Sequence, residues 1–341
     1  MRFGPVPTRE AGGLIAAHTV RDHDVILRKG RPIPVEDAVR LHAAGVTEVV
    51  AVSLEAGDVG EDAAAERLAA RLAGPGLRRE APFTGRCNLF ATRAGLLLVD
   101  RVGIDAVNAV DEAITVATLP AFHPVVAGEM VATVKIIPYA VAGSALDGAC
   151  RAAPDTALRV APYSRTRVGV VSTLLPGLKA STVDKTLATL ARRLEPTGAG
   201  IVADVRVPHE ASAVAAAIQA QVKQGADLVV VFGASAITDR RDVIPAGIAA
   251  AGGRIDHLGM PVDPGNLLLV GSLGAVPVIG APGCARSPKE NGFDWVLHRL
   301  LAGLAVTRAD IVALGVGGLL MEIVSRPQPR SGGTPADDDD H

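Results

Sequence analysis

The sequence has few cysteines, few aromatic residues and no long hydrophobic run. Its three cysteines, Cys87, Cys150 and Cys284, lie far apart and form no C-x-x-C pair, which argues against a structural zinc site and against a disulfide framework. Aromatic residues make up 3% of the chain, so Ala, Val, Leu and Gly supply most of the apolar volume. This composition suits packed α/β layers.

Two further absences limit the possible partners. Runs such as LVVVF and NLLLVG are strand-sized, well short of the about 20 residues that a membrane helix needs, and the first residues lack the apolar core of a secretory signal. With 34 basic and 36 acidic residues the net charge is −2, which argues against general nucleic-acid binding. We therefore expect a cytoplasmic protein that contacts neither membranes nor nucleic acids.

The length of 341 residues suggests roughly two domains. Strands and helices alternate regularly between about 167 and 304, which predicts a three-layer α/β/α domain with a mainly parallel sheet. The less regular first part predicts a smaller α+β domain. The predicted boundaries are 1–160 for the α+β domain, 161–305 for the α/β domain, 306–325 for a C-terminal helical extension and 326–341 for a disordered tail.

Local signals predict the position of several helices. An S-x-x-D start predicts a helix over 181–195, and a capping box that begins at Ser287 predicts another over 287–304. The segment TREAGGLIAAHTV, residues 8–20, has the composition of a helix, and residues 61–72 are typical of a surface helix.

Four loops rich in small residues follow or precede the predicted strands of the α/β domain. Ligands of open α/β sheets bind beyond the carboxyl ends of the strands. Loops of small residues expose backbone N–H groups, and helix N-termini favour anions, so these loops suit a phosphate group. They are LLPGLKASTVD at 174–184, GASAITDRRD at 233–242, MPVDPGN at 260–266 and APGCARSPK at 281–289.

The loop GASAITDRRD offers the most chemistry. Asp239 and Asp242 are hard oxygen ligands suited to a magnesium ion shared with a phosphate, and Arg240 and Arg241 suit an anion. The alternative is a capped turn in which Asp242 is the N-cap of the next helix and both arginines are solvated.

Three other residues also have two interpretations. Lys179, after a Pro-Gly pair, is either a phosphate contact or a surface lysine. Cys284 is either a thiol nucleophile or a small buried filler. Glu210, at a strand-to-helix turn, is either a metal carboxylate or an acid placed to suit the helix dipole.

The ordered set of loops resembles the molybdopterin-binding domain of molybdenum cofactor biosynthesis, over about 167–304. That domain occurs in molybdopterin molybdotransferase, molybdopterin adenylyltransferase and gephyrin. The whole chain is most similar to the molybdopterin-binding half of bacterial proteins in which this unit precedes a nucleotidyltransferase domain. The family's Gly-Gly-x-Ser motif corresponds to Gly233 to Ala236, and the Asp that follows it corresponds to Asp239. The family's Lys-Pro-Gly-Lys-Pro loop corresponds to Asp263 to Leu267, and its Gly-Leu-Pro-Gly-Asn-Pro loop corresponds to Gly280 to Ala285. The Asp of the family's first helix corresponds to Asp184, and its acidic pair corresponds to His209 and Glu210.

The resemblance implies a ligand, a metal and a reaction. The ligand is molybdopterin, a phosphorylated pterin dithiolene, and the reaction is a magnesium-assisted transfer in which molybdate replaces an adenylyl group. By this resemblance, Asp239 and Asp242 are the catalytic pair, and they bind Mg²⁺ together with Glu210. The residues expected to bind the pterin are Thr173, Pro176, Gly177, Lys179, Asp184, Gly233, Ala234, Ser235, Ala236, Pro264, Gly265, Asn266, Pro282, Gly283 and Cys284.

The sequence departs from the family pattern at four positions. Ala234 and Thr238 replace glycines, His209 replaces an acid, and Asn266 replaces a lysine. These departures leave ligand binding better supported than catalysis.

Three hypotheses therefore stand. The first is a molybdotransferase-like enzyme. The second is a non-catalytic carrier that hands molybdopterin to a nucleotidyltransferase or a molybdenum hydroxylase. The third is a pyridine-nucleotide salvage enzyme on the same fold. Because related proteins form dimers or trimers, we also expect a homo-oligomer.

Overall fold

The computed structural model describes residues 1–22 and 24–320, which form two compact units. The first unit comprises Met1–Pro162, and the second begins at Tyr163. The predicted disordered tail, 326–341, lies outside the described residues, as do residues 321–325 of the predicted C-terminal extension.

The first unit combines short strands with helices. Its strands pair in the orders β1-β5-β2, β10-β12-β8-β7, β11-β9-β14, β13-β6 and β3-β4. In chain order the elements are β1 Arg2–Pro7, β2 Ile15–Ala16, β3 Val20–Asp22, β4 Val25–Leu27, α1 Val35–Ala43, β5 Glu48–Ser53, β6 Asp58–Gly60, α2 Glu61–Leu72, β7 Leu77–Arg79, β8 Arg86–Ala91, β9 Gly95–Val99, α3 Arg101–Asn108, β10 Ile114–Thr118, β11 Pro124–Val125, β12 Met130–Ile136, β13 Ala140–Ala142, α4 Gly143–Ala152 and β14 Leu158–Pro162.

Two helix predictions in this unit need correction. Residues 8–20 form a single 3₁₀ turn, Thr8–Glu10, followed by β2 and the start of β3. The chain turns there at Gly13, whose φ of 85° is outside the right-handed helical region. The helix predicted over 61–72 is present as α2, but its Leu68 and Leu72 are fully buried, so one face of it belongs to the core.

The second unit is built on a six-stranded sheet. In chain order its elements are β15 Arg167–Leu174, α5 Ala180–Leu194, β16 Gly200–Pro208, α6 Ala211–Lys223, β17 Leu228–Phe232, α7 Val243–Ala250, β18 Arg254–Leu258, β19 Leu269–Leu273, β20 Val276–Ala281, α8 Gly292–Leu301 and α9 Arg308–Val312. The strand order in the sheet is β16-β15-β17-β20-β19-β18. Strands β16, β15, β17 and β20 are parallel, whereas β19 runs antiparallel to both β20 and β18.

Helices cover both faces of this sheet, so the predicted three-layer α/β/α architecture is confirmed. In β17, Leu228, Val230 and Phe232 pack into a core with α5 and α8. The alternating Val229 and Val231 pack into a second core with α6 and α7. Because both faces of β17 are buried, its sequence is a continuous apolar run.

Two helices of the second unit begin elsewhere than predicted. Helix α8 begins at Gly292, and its capping box pairs Asn291 with Asp294, whereas Ser287 ends a short 3₁₀ turn. Helix α5 has Lys179 at its N-cap without a side-chain cap, so the serine of the S-x-x-D motif is already helical. The edge strand β18 was not predicted from the sequence, because its RIDHL segment lacks a β-type apolar alternation.

Candidate functional site

The candidate site lies at the edge of the six-stranded sheet where the parallel strands end. Strands β15, β16, β17 and β20 end at Leu174, Pro208, Phe232 and Ala281, and parallel strands place these ends along the same edge. Strand β18 runs in the same direction, because it is antiparallel to β19. The loop that joins β18 to β19 therefore also lies at this edge, and the sheet brings together all four loops singled out in the sequence.

Three of these strand ends are connected by a histidine. The Oγ1 atom of Thr173 lies 2.8 Å from Nδ1 of His209, and Nε2 of His209 lies 3.0 Å from Oγ of Ser235. The backbone N–H of Ala234 donates to Oγ1 of Thr173 over 2.7 Å. Thr173 is buried, His209 is half-buried and Ser235 is exposed. The chain of bonds thus runs from the core to the surface of the site, and we call it the Thr173–His209–Ser235 relay.

The loop that carries Ser235 begins with a tightly packed glycine. A Cβ atom on Gly233 would lie 2.6 Å from the carbonyl oxygen of Ser235 and 2.7 Å from Cδ1 of Ile244. The carbonyl oxygen of Gly233 accepts a hydrogen bond from Nη2 of Arg286 over 2.7 Å. Glycine is required here because the loop folds back on itself closely enough to exclude any side chain.

The loop before β19 packs against the start of α8. Gly265 has a φ of 141°, and a Cβ atom on it would lie 2.9 Å from Cα of Gly292. The backbone N–H of Gly292 donates to the carbonyl oxygen of Pro264 over 2.9 Å. Pro264 and Gly265 are buried, whereas Asn266 is exposed. Of this loop, Asn266 is therefore the predicted residue whose side chain is open to a ligand.

A buried cation fixes the loop after β20. Nε of Arg193, on α5, lies 2.5 Å from Oδ1 of Asp294, and its guanidinium also donates to the carbonyl oxygens of Ala285, Ser287 and Lys289. The side chains of Arg193 and Asp294 are 9% and 12% exposed. Arg193 therefore fixes three backbone carbonyl groups of this loop in place.

The predicted residues in the loop after β20 are mostly enclosed. Pro282 and Cys284 are buried, and Gly283 is exposed. The Cys284 thiol lies 3.6 Å from Oδ1 of Asn291, whose amide also donates to the carbonyl oxygen of Cys284. This environment agrees with the interpretation of Cys284 as a small buried filler.

The predicted residues after β15 are exposed and only partly engaged. Pro176, Gly177 and Lys179 lie on the surface at the start of α5. Asp184 also lies on the surface, but its Oδ1 accepts a bond from Nη2 of Arg206 over 2.6 Å. Lys179 therefore remains the residue of this loop that presents a charge to a ligand.

The expected magnesium ligands do not form a group. Among residues 1–22 and 24–320, no three His, Cys, Asp or Glu side chains are arranged to hold a metal ion. The carboxylate of Asp239 pairs with Arg241, with Nε 2.7 Å away, and this bond lowers the pKa of Asp239. The carboxylate of Asp242 caps α7 by accepting the N–H of Val243, and it also accepts the N–H of Thr238 in the preceding loop. Glu210 is exposed at the start of α6 and makes no side-chain cap. The site present does not fit the metal set that the resemblance implies.

Two functional candidates were not selected from the sequence: His209 and Arg286. His209 entered the sequence analysis as a departure from an acidic pair, and Arg286 lies within the loop APGCARSPK without being one of the predicted contacts. Arg286 is half-buried, and this burial lowers the pKa of its guanidinium. The signal that would have found both is position, since His209 directly follows β16 and Arg286 lies in the loop after β20.

Comparison with known proteins confirms the resemblance for the second unit. Residues 168–319 match the family described as "Probable molybdopterin binding domain", a domain type of molybdenum cofactor biosynthesis. No curated protein matches the sequence significantly. No helix in residues 1–22 and 24–320 combines the length and apolarity required to cross a membrane.

Three of the solved structures that match this chain do so at low sequence identity. The protein CinA of unknown function from Thermoplasma acidophilum is 16% identical with a TM-score of 0.31, over 36% of this chain and 90% of that chain. A molybdopterin biosynthesis moea protein from Pyrococcus horikosii is 13% identical with a TM-score of 0.31, over 89% of this chain and 75% of that chain. Molybdenum cofactor biosynthesis protein B is 17% identical with a TM-score of 0.31, over 41% of this chain and 96% of that chain.

Proposed function

We propose that the second unit binds molybdopterin at the carboxyl edge of its sheet and acts in molybdenum cofactor biosynthesis as a binding module that carries the pterin. The observation that supports this most is the Thr173–His209–Ser235 relay. It places the hydroxyl group of Ser235 at the mouth of the site, next to His209, which stands where the family pattern has an acid. A hydroxyl group is a ligand for phosphate or pterin oxygens, and it carries no charge that would repel them.

The charges around this edge also favour an anionic ligand. Lys179 is exposed at the start of α5, and Arg286 lies half-buried behind the loop that contains Ser235. The acids in the same loops are engaged elsewhere, since Asp184 pairs with Arg206 and Asp239 pairs with Arg241. The ligand phosphate thus meets cations and neutral donors, and a charged hydrogen bond contributes about 1.5–3 kcal/mol.

The second candidate is magnesium-dependent molybdate insertion. One observation favours it: Asp239 and Asp242 are joined by a backbone turn, with the Asp242 N–H donating to the Asp239 carbonyl oxygen over 3.1 Å. A metal held by these two acids would need its remaining ligands from the substrate phosphate and from water. It would also have to displace Arg241 from Asp239. We therefore rank this candidate below the carrier.

One anaerobic experiment separates the two candidates. Purified protein is titrated with molybdopterin, and in parallel is given adenylylated molybdopterin with and without molybdate and Mg²⁺. The carrier predicts saturable binding that Mg²⁺ does not change, and no release of AMP. Release of AMP that requires both molybdate and Mg²⁺ would establish the insertion reaction. Failure to bind molybdopterin, together with binding of a pyridine nucleotide, would replace both candidates by the salvage hypothesis.

The proposed partners follow from the carrier role. A carrier must deliver molybdopterin to a nucleotidyltransferase or to a molybdenum hydroxylase, and we propose a homo-oligomer as its working form. Light scattering of the purified protein gives the oligomeric state. Transfer of bound pterin to a cofactor-free hydroxylase, read as recovered hydroxylase activity, tests delivery.

A further inference from the structure

The directions of the hydrogen bonds in the Thr173–His209–Ser235 relay follow from counting donors and acceptors. Oγ1 of Thr173 already accepts the N–H of Ala234, and Thr173 is 2% exposed. A buried hydroxyl hydrogen without an acceptor is costly. Among the described residues, Nδ1 of His209 is the acceptor within reach of this hydroxyl. The Thr173 hydroxyl therefore donates to Nδ1.

This donation fixes the tautomer of the neutral imidazole. If Nδ1 accepts, the ring proton lies on Nε2, because a neutral imidazole has one donor and one acceptor nitrogen. Nε2–H then donates to Oγ of Ser235 over 3.0 Å. The Ser235 oxygen accepts this bond, so its own hydrogen is not donated to His209 and points outward from an exposed residue.

We infer that His209 is a positioning residue that makes Ser235 the hydroxyl donor for an oxyanion of the bound ligand. The ordered chain runs from Ala234 N–H to Thr173, from Thr173 to His209 and from His209 to Ser235. Each bond polarises the next, so the last hydroxyl is a better donor than an isolated serine. The oxyanion belongs to the phosphate class. Its identity as the phosphate of molybdopterin rests on the proposed function.

The inference is also consistent with the finding that the carboxylates expected to bind Mg²⁺ do not form a metal site. In a metal-based site the phosphate charge is balanced by a cation that acids hold. Here the strand end that would carry an acid carries His209, and the carboxylates of Asp239 and Asp242 are engaged in an ion pair and in a helix cap. Neutral hydrogen-bond donors contact the phosphate in place of a metal ion, so ligand binding requires no Mg²⁺.

The opposite direction of the relay has a different chemical meaning. A proton on Nδ1 would be donated to Thr173, and Nε2 would then accept the hydroxyl hydrogen of Ser235. Ser235 would offer no donor to a ligand and would instead resemble a serine activated by a histidine base. The two arrangements therefore differ in one measurable property, the nitrogen that carries the proton.

The first test is a long-range ¹H–¹⁵N NMR spectrum of ¹⁵N-histidine-labelled protein without ligand, with the His209 signals assigned from His209→Gln. We expect the Nε2–H tautomer. In Thr173→Val, Nδ1 loses its donor, so we expect its ¹⁵N shift to move toward that of a free acceptor nitrogen. An Nδ1–H tautomer in the wild-type protein would overturn the inference.

The second test is anaerobic titration with molybdopterin without Mg²⁺. We expect Ser235→Ala and His209→Phe each to lower affinity about ten-fold, and the double variant to lose little more, because both act on one contact. His209→Gln should retain most of the affinity, since its amide has both a donor NH2 group and an acceptor oxygen. His42→Phe, an exposed histidine of the first unit, is the control and should bind as the wild type does.

The two tests separate failure of the relay from failure of the proposed function. If the wild type binds molybdopterin and Ser235→Ala binds equally well, the relay has no role and the inference is wrong, while the proposed function stands. If the wild type shows the Nε2–H tautomer but binds no molybdopterin, the proposed function fails. Titration with inorganic phosphate then decides the oxyanion contact: weaker binding by Ser235→Ala supports it, and unchanged binding overturns it.

Discussion

The guanidinium of Arg286 donates from Nη2 to the carbonyl oxygen of Gly233 over 2.7 Å, so the loop after β20 holds the loop after β17. The same guanidinium lies 5.9 Å from the centre of the Phe232 ring. Because Gly233 directly precedes Ala234 and Ser235, this contact determines where the end of the Thr173–His209–Ser235 relay lies. A residue that was not among the predicted ligand contacts thus positions the loop that carries Ser235.

Arg286→Met should damage both stability and binding. The substitution keeps most of the apolar volume but leaves the Gly233 carbonyl without its charged donor, a loss of about 1.5–3 kcal/mol. We expect a lower midpoint of urea unfolding and weaker molybdopterin binding. The control is Arg241→Met, because the side chain of Arg241 is 92% exposed. Equal effects from both substitutions would show that the contact with Gly233 has no special role.

Arg193→Met should destabilise the second unit strongly. It removes the cation of a buried pair and leaves Asp294 with an unbalanced charge, which costs about 3–5 kcal/mol. It also leaves the carbonyl oxygens of Ala285 and Ser287 without their donor. Urea unfolding measures the loss.

Arg206→Met is the matched control for that experiment. Arg206 pairs with Asp184 and Asp204 on the surface, with side-chain exposures of 33%, 61% and 25%. Surface pairs of this kind contribute about 0–1 kcal/mol. A comparable loss in the two variants would contradict the structural role assigned to Arg193.

The architecture of the second unit was predictable because its elements carry local signals. β17 is an apolar run bounded by Gly225 and Gly233, and the β19–β20 hairpin has its turn at Gly274. The helix over 61–72 was placed correctly but its burial was not. Its alanines are compatible with either surface or core, and tertiary packing decides between them.

The site itself was only partly predictable. Small-residue loops identified the correct edge of the sheet, because glycine marks positions where backbones approach closely. The relay could not be predicted, since its members are 36 and 26 residues apart in the chain and meet only through strand order. The arrangement of the expected magnesium ligands could not be predicted for the same kind of reason. Sequence spacing left open whether Asp242 binds a metal ion or caps α7, and it does not show that Arg241 folds back onto Asp239.

Lys179→Ala should weaken the ligand without affecting the fold. Lys179 is exposed at the N-cap of α5 and makes no side-chain cap bond, so its loss leaves no buried partner. Removal of a charged phosphate contact should lower molybdopterin affinity about ten-fold or more. Unfolding by urea should be unchanged. Full affinity in this variant would show that Lys179 is a solvated surface lysine that does not contact the ligand.

Asp239→Ala and Asp242→Ala should show that Asp239 is a surface acid and that Asp242 has a structural role. Asp239 is paired only with the exposed Arg241, so we expect no measurable change in stability. Asp242 accepts the N–H of Val243 at the start of α7 and that of Thr238 in the preceding loop, and loss of a helix cap costs about 0.5–2 kcal/mol. On the carrier proposal, neither variant changes molybdopterin binding, with or without Mg²⁺. A large loss of Mg²⁺-dependent turnover in both would instead support molybdate insertion.

The second unit should lose stability on acidification because of a buried histidine. Burial lowers the pKa of His298, an effect that Asp294 and Glu290 partly offset, and Nδ1 of His298 lies 2.7 Å from the Tyr163 hydroxyl. In the unfolded chain the imidazole has its ordinary pKa near 6.5. Between the lowered value and about 6.5 the unfolded state therefore binds more protons than the folded state, so stability rises with pH. The contribution is complete above about pH 6.5 and is lost as the pH falls below it.

His298→Gln tests this pH dependence directly. Glutamine can keep a hydrogen bond to Tyr163 but does not titrate, so the difference in urea midpoint between about pH 7.5 and about pH 5.5 should shrink. It should not vanish, because His257 also has a pKa lowered by burial, with Arg308 and Arg240 adding to the shift. The double variant with His257→Gln should flatten the dependence further. If His298→Gln and the wild type lose equal stability on acidification, His298 is not the group that titrates, and its burial has no consequence for unfolding.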